Sequence, residues 1–304
     1  MHTEDKLVHN EKVQKKGVHE MDMEMQGSPS TERFIPVTSV ANGKGVEVAP
    51  DIYSYTTQIV NVCFLGNPEH ENEFVLVDAG MPDSAPMILK AIEDRFGVGA
   101  QPKAIVLTHA HFDHIGSIID LVDKWNVPVY AHELEMPYLT GQKNYPLPDS
   151  TVEGGLVAKL SPLFPTEAIN LGMHVQALPK DGSIPSLSNW KWIHTPGHTP
   201  GHISLFRHQD QALIAGDAFV TTKQEYLLDV LKQELEISGP PRYLTTDWSA
   251  ARLSVEKLHS LQPKLAVTGH GQPVSETWLA ENLLMLVKDF DRIAIPDHGR
   301  YVEE

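Results

Sequence analysis

The stretch His109-Ala110-His111-Phe112-Asp113-His114 places four metal-capable side chains within six residues. It follows an apolar run, Ala104 to Leu107, and precedes Ile115, Ile118, Ile119 and Val122, which recur at helical spacing. Residues two apart in an extended chain point the same way. His109 and His111 can therefore reach one ion together from a strand end, while Thr108 and Ala110 point elsewhere. Asp113 and His114 sit at the helix start and diverge from that pair, which makes a second ion their natural target. A carboxylate at a helix start is also favoured by the exposed amides there.

Three more candidate ligands follow: His198 in TPGHTPGH, Asp217 in IAGDA and His270 in VTGHG. Seven such residues are too many for one tetrahedral ion and about right for two. A lone His-x-His is usually an incidental pair, and a lone Gly-Asp after a strand is usually a turn. Seven in order, each at a strand end or loop, are hard to obtain by accident. Imidazoles and carboxylates without a thiolate suit two divalent ions, zinc first, with iron and manganese as alternatives. Asp217 has two oxygens and can bridge both ions. Two divalent ions, two aspartates and one hydroxide leave about one net positive charge, which favours an anionic tetrahedral intermediate. A metal-bound water can ionise near pH 7, supplying hydroxide without a separate strong base.

Through this His-x-His-x-Asp-His signature the chain resembles the metallo-β-lactamase superfamily of hydrolases, over roughly Ile52 to Pro273. The resemblance implies an α/β, four-layer αββα sandwich with its metals along one edge of two sheets. It implies that His109, His111 and His198 hold one ion, that Asp113, His114 and His270 hold the other, and that Asp217 lies between. Asp113 would be both ligand and catalytic residue, orienting the nucleophile or relaying its proton. Asp78, in LVDAG, matches a supporting aspartate of the family, with a turn residue before Gly80 as the competing reading. Within TPGHTPGH the resemblance selects His198 over His194 and His202, and His202 is expected to open the next strand.

The superfamily hosts many reactions, so departures from its branches matter. An aspartate at the bridging position argues against antibiotic hydrolysis. N-acyl-homoserine lactonases usually carry a tyrosine three residues later, where this chain has Val220 beside Phe219. Glyoxalase II enzymes add a basic C-terminal segment; after His270 this chain has only Lys288, Arg292 and Arg300 as basic residues. His111 disfavours the flavodiiron branch, which has Glu there. The expectation is hydrolysis of a small-molecule ester, lactone or thioester by a hydroxide shared between the ions. A glyoxalase II-like thioesterase and an N-acyl-homoserine lactonase are specific alternatives. An iron-dependent persulfide dioxygenase is a competing class, and a non-catalytic metal-binding protein is the remaining one.

The chain has 304 residues, enough for one compact catalytic domain with insertions. No run approaches the roughly 20 apolar residues a membrane helix needs, so no membrane partner is expected. A net charge of −16 opposes nucleic-acid binding, which needs basic patches. Residues 1–33 are polar, carry no secretory signal and are expected to form a flexible tail before a catalytic domain over 34–304. Cys63 is the only cysteine and reads as a small packed residue, which excludes an internal disulfide and points to the cytoplasm.

Strands are expected at Thr57–Leu65, Phe74–Val77, Ala104–Leu107, Val127–Ala131, Trp190–His194, Ile203–Arg207, Ala212–Ala215 and Leu265–Thr268, with a hairpin at Gln209-Asp210. Helices are expected at Ala85–Phe96, Ile115–Trp125, Ser249–Ser260 and Glu276–Phe290. The order repeats after about Asp181, which would bring the ligand loops to one rim. Two insertions are expected over that rim, near 136–165 and 221–247, as lids or equally as a structural cover or homodimer contact. Their apolar character, with Tyr145 and Phe219 expected near the metals, would suit an acyl group.

Overall fold

The computed structural model describes Met25 and residues 38–70, 72–153 and 155–302. The expected tail, residues 1–33, lies outside them except for Met25, which packs against the first core.

The strands form two sheets. The first runs in chain order: β1 (Gly45–Ala49), β2 (Ile52–Thr57), β3 (Val60–Leu65), β4 (Val75–Val77), β5 (Ile105–Val106), β6 (Val129–Ala131) and β7 (Val175–Ala177). It is antiparallel through β4 and parallel from β4 to β7. The second contains β8 (Lys191–His194), β9 (Ile203–Arg207), β10 (Ala212–Gly216), β11 (Leu265–Thr268) and β12 (Val274–Ser275), in the order β12-β11-β10-β9-β8. The division falls between Ala177 and Lys191, where the sequence order begins to repeat.

Alternation along the strands builds the layers. In β3, Val62 and Phe64 join one core while Cys63 and Leu65 join another. In β10, Ala212 and Ile214 face that shared core, and Leu213 and Ala215 face a third. The shared core therefore lies between the sheets, where Val75, Val77 and Val106 meet Ile203, Leu205 and Val267. Strands buried on both faces need apolar residues at nearly every position, which explains their continuous apolar runs. Helix α1 (Ala85–Phe96), the short α2 (Phe112–Ile115) and α3 (Ile118–Trp125) contribute Ile88, Ile92, Ile115, Leu121 and Val122 to the outer core of the first sheet. Between α3 and β7 the chain forms α4 (Met136–Leu139) and α5 (Leu156–Leu160), and after β10 it forms α6 (Leu227–Lys232). Helices α7 (Trp248–Ser260), α8 (Glu276–Lys288) and α9 (Phe290–Ile293) cover the second sheet through Val255, Leu258, Leu279, Leu283 and Phe290. The result is the αββα sandwich.

Several local expectations need correction. The run Thr57–Leu65 is the second arm of a hairpin: the chain turns at Gln58 (φ 56°), whose amide donates to Asn42 Oδ1. The first arm, Ile-Tyr-Ser-Tyr-Thr-Thr, lacks apolar alternation because buried Ser54, Thr56 and Thr57 occupy it. Helix Ile115–Trp125 is broken at Gly116-Ser117 and begins earlier, at Phe112. The break has a packing cause. The Gly116 amide donates to the Gly80 carbonyl (2.8 Å), and Ser117 Oγ donates to the Met81 carbonyl (2.8 Å). The stretches near 136–165 and 221–247 are partly helical, and they touch where the Gly155 amide donates to the Glu225 carbonyl (2.9 Å). No described helix is long and apolar enough to cross a membrane.

A Cβ on Gly116 would lie 2.1 Å from the Pro82 nitrogen. Gly116→Ala should therefore destabilise the fold by about 1–3 kcal/mol despite the better helix propensity of alanine. Chemical denaturation would register this as a lowered midpoint at unchanged slope.

Candidate metal centre

The seven predicted side chains leave the scaffold at one rim, and all are buried. His109 and His111 follow β5, Asp113 and His114 lie in α2, and His198, Asp217 and His270 follow β8, β10 and β11. Their donor atoms form three overlapping groups, each with all atoms within 4.8 Å of one another: His109, His111 and His198; Asp113, His114 and His270; and His109, His114 and Asp217. Asp217 connects the first two sets. Its Oδ2 is 3.5 Å from His198 Nε2 and 3.3 Å from His270 Nε2, while its Oδ1 is 3.5 Å from His114 Nε2.

Four of the five rings are aimed by the outer nitrogen. His114 Nδ1 donates to Asp78 Oδ2 (2.9 Å), and His270 Nδ1 donates to the Ile59 carbonyl (3.0 Å). Thr245 Oγ1 gives its proton to the Pro241 carbonyl, so it accepts from His198 Nδ1 (3.2 Å). Thr108 likewise gives its proton to Asp78 Oδ2 and accepts from His109 Nδ1 (3.1 Å). Fixing the outer nitrogen sets both the tautomer and the direction of the inner one. His111 has no such anchor; its Nδ1 lies 2.9 Å from His198 Nε2, and the Tyr145 ring packs on it at 4.5 Å.

The two halves differ electrostatically. Burial, reinforced by neighbouring imidazoles, holds His109 and His198 well below the usual histidine range. Burial also pushes His111 down to about 4, so this trio is neutral. Burial would lower His114 and His270 too, but Asp217 and Asp113 outweigh it and raise both, His270 to about 10. The same contacts hold Asp113 and Asp217 below the carboxylate range against their own desolvation.

His109 Nε2, Asp113 Oδ1, His114 Nε2 and Asp217 Oδ1 are buried without a hydrogen-bond partner. Four orphaned polar atoms in one spot are costly unless something else satisfies them. Divalent cations would do so, and the donor types suit a borderline metal. Gly269 preserves the space, because a Cβ there would sit 1.9 Å from Asp217 Oδ1.

Of the supporting residues, Asp78 and His202 can be read from the sequence, whereas Asn61, Glu135 and Tyr243 escape such a reading. Asp78 is both a left-handed turn residue (φ 61°) and the partner of His114, so its two sequence readings hold together. His202 lies just before β9, as expected, and its Nε2 accepts the Asp217 amide (2.8 Å). Asn61 ties the His270 loop through the Thr268 and Gly271 carbonyls. Fully buried Glu135 accepts from Thr199 Oγ1 (2.8 Å), the Gly201 amide (2.8 Å), the Ala110 amide (3.0 Å) and the Tyr145 hydroxyl. It thereby joins the loops of His111 and His198 to the stretch that carries Tyr145. Tyr145 does reach the site, but Phe219 is fully buried in the outer core of the second sheet and does not line it. Tyr243 instead lines a cavity with His111 and His198; burial, aided by Asp113, raises its phenol well above the usual range.

Residues 55–270 match the family described as the metallo-beta-lactamase superfamily. A probable metallo-hydrolase of Bacillus subtilis, YflN, is 52% identical over 245 residues, covering 81% of this chain and 93% of its own. A hydroxyacylglutathione hydrolase of Haemophilus influenzae is 26% identical over 151 residues, 49% of this chain and 62% of its own. Among solved structures, a subclass B3 metallo-beta-lactamase of Bradyrhizobium japonicum aligns at a TM-score of 0.55 with 19% identity, over 84% of this chain and 94% of that one. That likeness concerns the fold alone.

Glu135→Ala would leave the Gly201 amide and two hydroxyls without their acceptor and remove one of the two acceptors of the Ala110 amide. The expected loss is about 3–5 kcal/mol, as for breaking a buried charged network. At roughly 2–4 °C per kcal/mol for a chain of this size, the melting temperature should fall by about 6–20 °C in calorimetry.

Proposed function

The chain belongs to the metallo-beta-lactamase superfamily, and we propose that it is a metal-dependent hydrolase of a small acyl ester, lactone or thioester. The observation that carries this reading is the convergence of seven buried donors, four of whose polar atoms have no partner. In the proposal His109, His111 and His198 hold one ion, Asp113, His114 and His270 hold a second, and Asp217 is shared. Zinc is the proposed metal, and the same donors accept iron or manganese. Bound there, divalent cations would make water nucleophilic near neutral pH and polarise a carbonyl.

The residues of the chain supply the rest. Asp113, held ionised, is the ligand that would also orient the attacking water. Tyr243 adds a neutral phenol to the wall beside His111 and His198. Cys63 is buried in β3 and its thiol is pushed up by burial, so it is not the nucleophile. The similarity to a hydroxyacylglutathione hydrolase of Haemophilus influenzae supports including thioesters in the substrate class. The lone, buried Cys63 also fits a proposed reducing cytoplasm.

Asp217→Ala or His109→Ala should remove at least one equivalent of metal, read by elemental mass spectrometry of the purified protein. Each should lower kcat/KM on a panel of esters, lactones and thioesters by about a thousandfold or more, equivalent to about 4 kcal/mol of lost transition-state stabilisation. Undiminished turnover by either variant would refute the proposal.

A further inference from the structure

A narrow cavity of about 110 Å³ opens beside His111 and His198. Its walls include Tyr138, Tyr145, Leu147, Tyr243 and Tyr301, drawn from three separate stretches of chain. Tyr138 stacks on Tyr145 at 3.9 Å, and Glu135 holds the Tyr145 hydroxyl. The C-terminal stretch is also tied down. The Arg300 amide donates to Asp149 Oδ2, Arg300 Nη1 donates to the Leu147 carbonyl (3.2 Å), and the Asp297 amide donates to Glu153 Oε2 (2.7 Å). Buried Asp149 sends its own amide to the Tyr243 carbonyl (2.7 Å), so one residue joins all three wall segments.

Two features bear on what the cavity holds. The first is size. An apolar cavity of about 150 Å³ accepts benzene, with its six carbons, so 110 Å³ suits a chain of about four carbons. The second is a partition. Tyr301 and Thr246 line both this cavity and a neighbouring open groove of about 520 Å³ that contains Trp248, Arg252 and Ile295. Tyr301 thus borders both a small space beside His111 and His198 and a much larger open one.

Resting on the hydrolase reading above, we propose that the cavity seats the acyl chain of the substrate, that it takes short chains of about two to four carbons, and that Tyr301 sets this limit. A chain reaching past it would meet the ring. Removing the ring joins the pocket to the groove and gives longer chains a path. The substrate class is accordingly a short-chain acyl ester or thioester, and long-chain acyl groups are excluded by shape.

The test compares butanoyl and octanoyl esters of one alcohol on the metal-loaded protein. Wild type should favour butanoyl by at least a hundredfold in kcat/KM, since octanoyl is four methylenes longer and each one that misfits can cost about tenfold or more. Tyr301→Ala should raise the octanoyl-to-butanoyl ratio at least tenfold, and the milder Tyr301→Leu should give a smaller rise in the same direction. Thermal shifts with butanoate and octanoate as ligands give a readout independent of turnover. Wild type should be stabilised by butanoate only, and Tyr301→Ala by both.

Equal use of both esters by wild type, or an unchanged ratio in both variants, would overturn the proposal. If no ester or thioester is cleaved but the two carboxylates behave as described, the short-chain pocket stands and the hydrolase reading falls. If neither carboxylate shifts melting and no ester is cleaved, both fall.

Discussion

Asp78, Thr108, Thr245 and the carbonyl of Ile59 each accept the outer proton of a buried imidazole, and the cluster at the rim depends on those four bonds. Without them His109, His114, His198 and His270 could rotate away from a crowded, desolvated centre. Each acceptor is itself held. Asp78 receives the Thr108 amide at the end of β5, and Thr245 is tied to Pro241. The Ile59 carbonyl belongs to the β2–β3 turn, beside which Asn61 binds the His270 loop. Strand ends therefore supply the positions, and side-chain bonds supply the aim. This arrangement accepts the expense of orphaned donors, because the scaffold on either side leaves them nowhere else to point.

Much of the centre was legible in the sequence because its donors are punctuated locally. The motif from His109 to His114 switches from strand to helix within six residues. Asp217 and His270 follow apolar strands and sit beside glycines that the packing requires: Gly216 adopts φ 56°, and Gly269 lies against Asp217. The supports are different. Glu135 gathers partners at 110, 145, 199 and 201, and Asn61 reaches residues more than 200 positions away. No periodicity or spacing encodes such contacts. Phe219 shows the converse limit: proximity to Asp217 in the chain gave no information about direction, and its ring turned into the core.

The fold shows the same division. Strands buried on both faces, such as β9, β10 and β11, read clearly as apolar runs. Edge strands β1, β7 and β12 are short or partly exposed, and pairing rather than composition makes them strands. Strand β2 is central yet reads as polar, because Ser54, Thr56 and Thr57 are buried on it and Thr56 spends its hydroxyl on Asn61. The helix break at Gly116 likewise followed from contact with residues 80–82 and left no mark beyond a glycine and a serine.

The ligand cradle and the cavity wall are built from different material. The cradle rests on strand ends and their hydrogen bonds, whereas the wall beside His111 and His198 comes from the stretch 138–148, the loop around Tyr243 and the stretch around Tyr301, joined at Asp149. Among the described residues, few bonds cross between them. Glu135 connects Tyr145 to the loops of His111 and His198, and Thr245 lies two residues beyond Tyr243. A change in the wall can therefore alter which molecule fits without moving the donors, provided Glu135 and Thr245 keep their partners. This separation gives a physical basis for reading the fold and the donor set from one part of the chain and the choice of substrate from another.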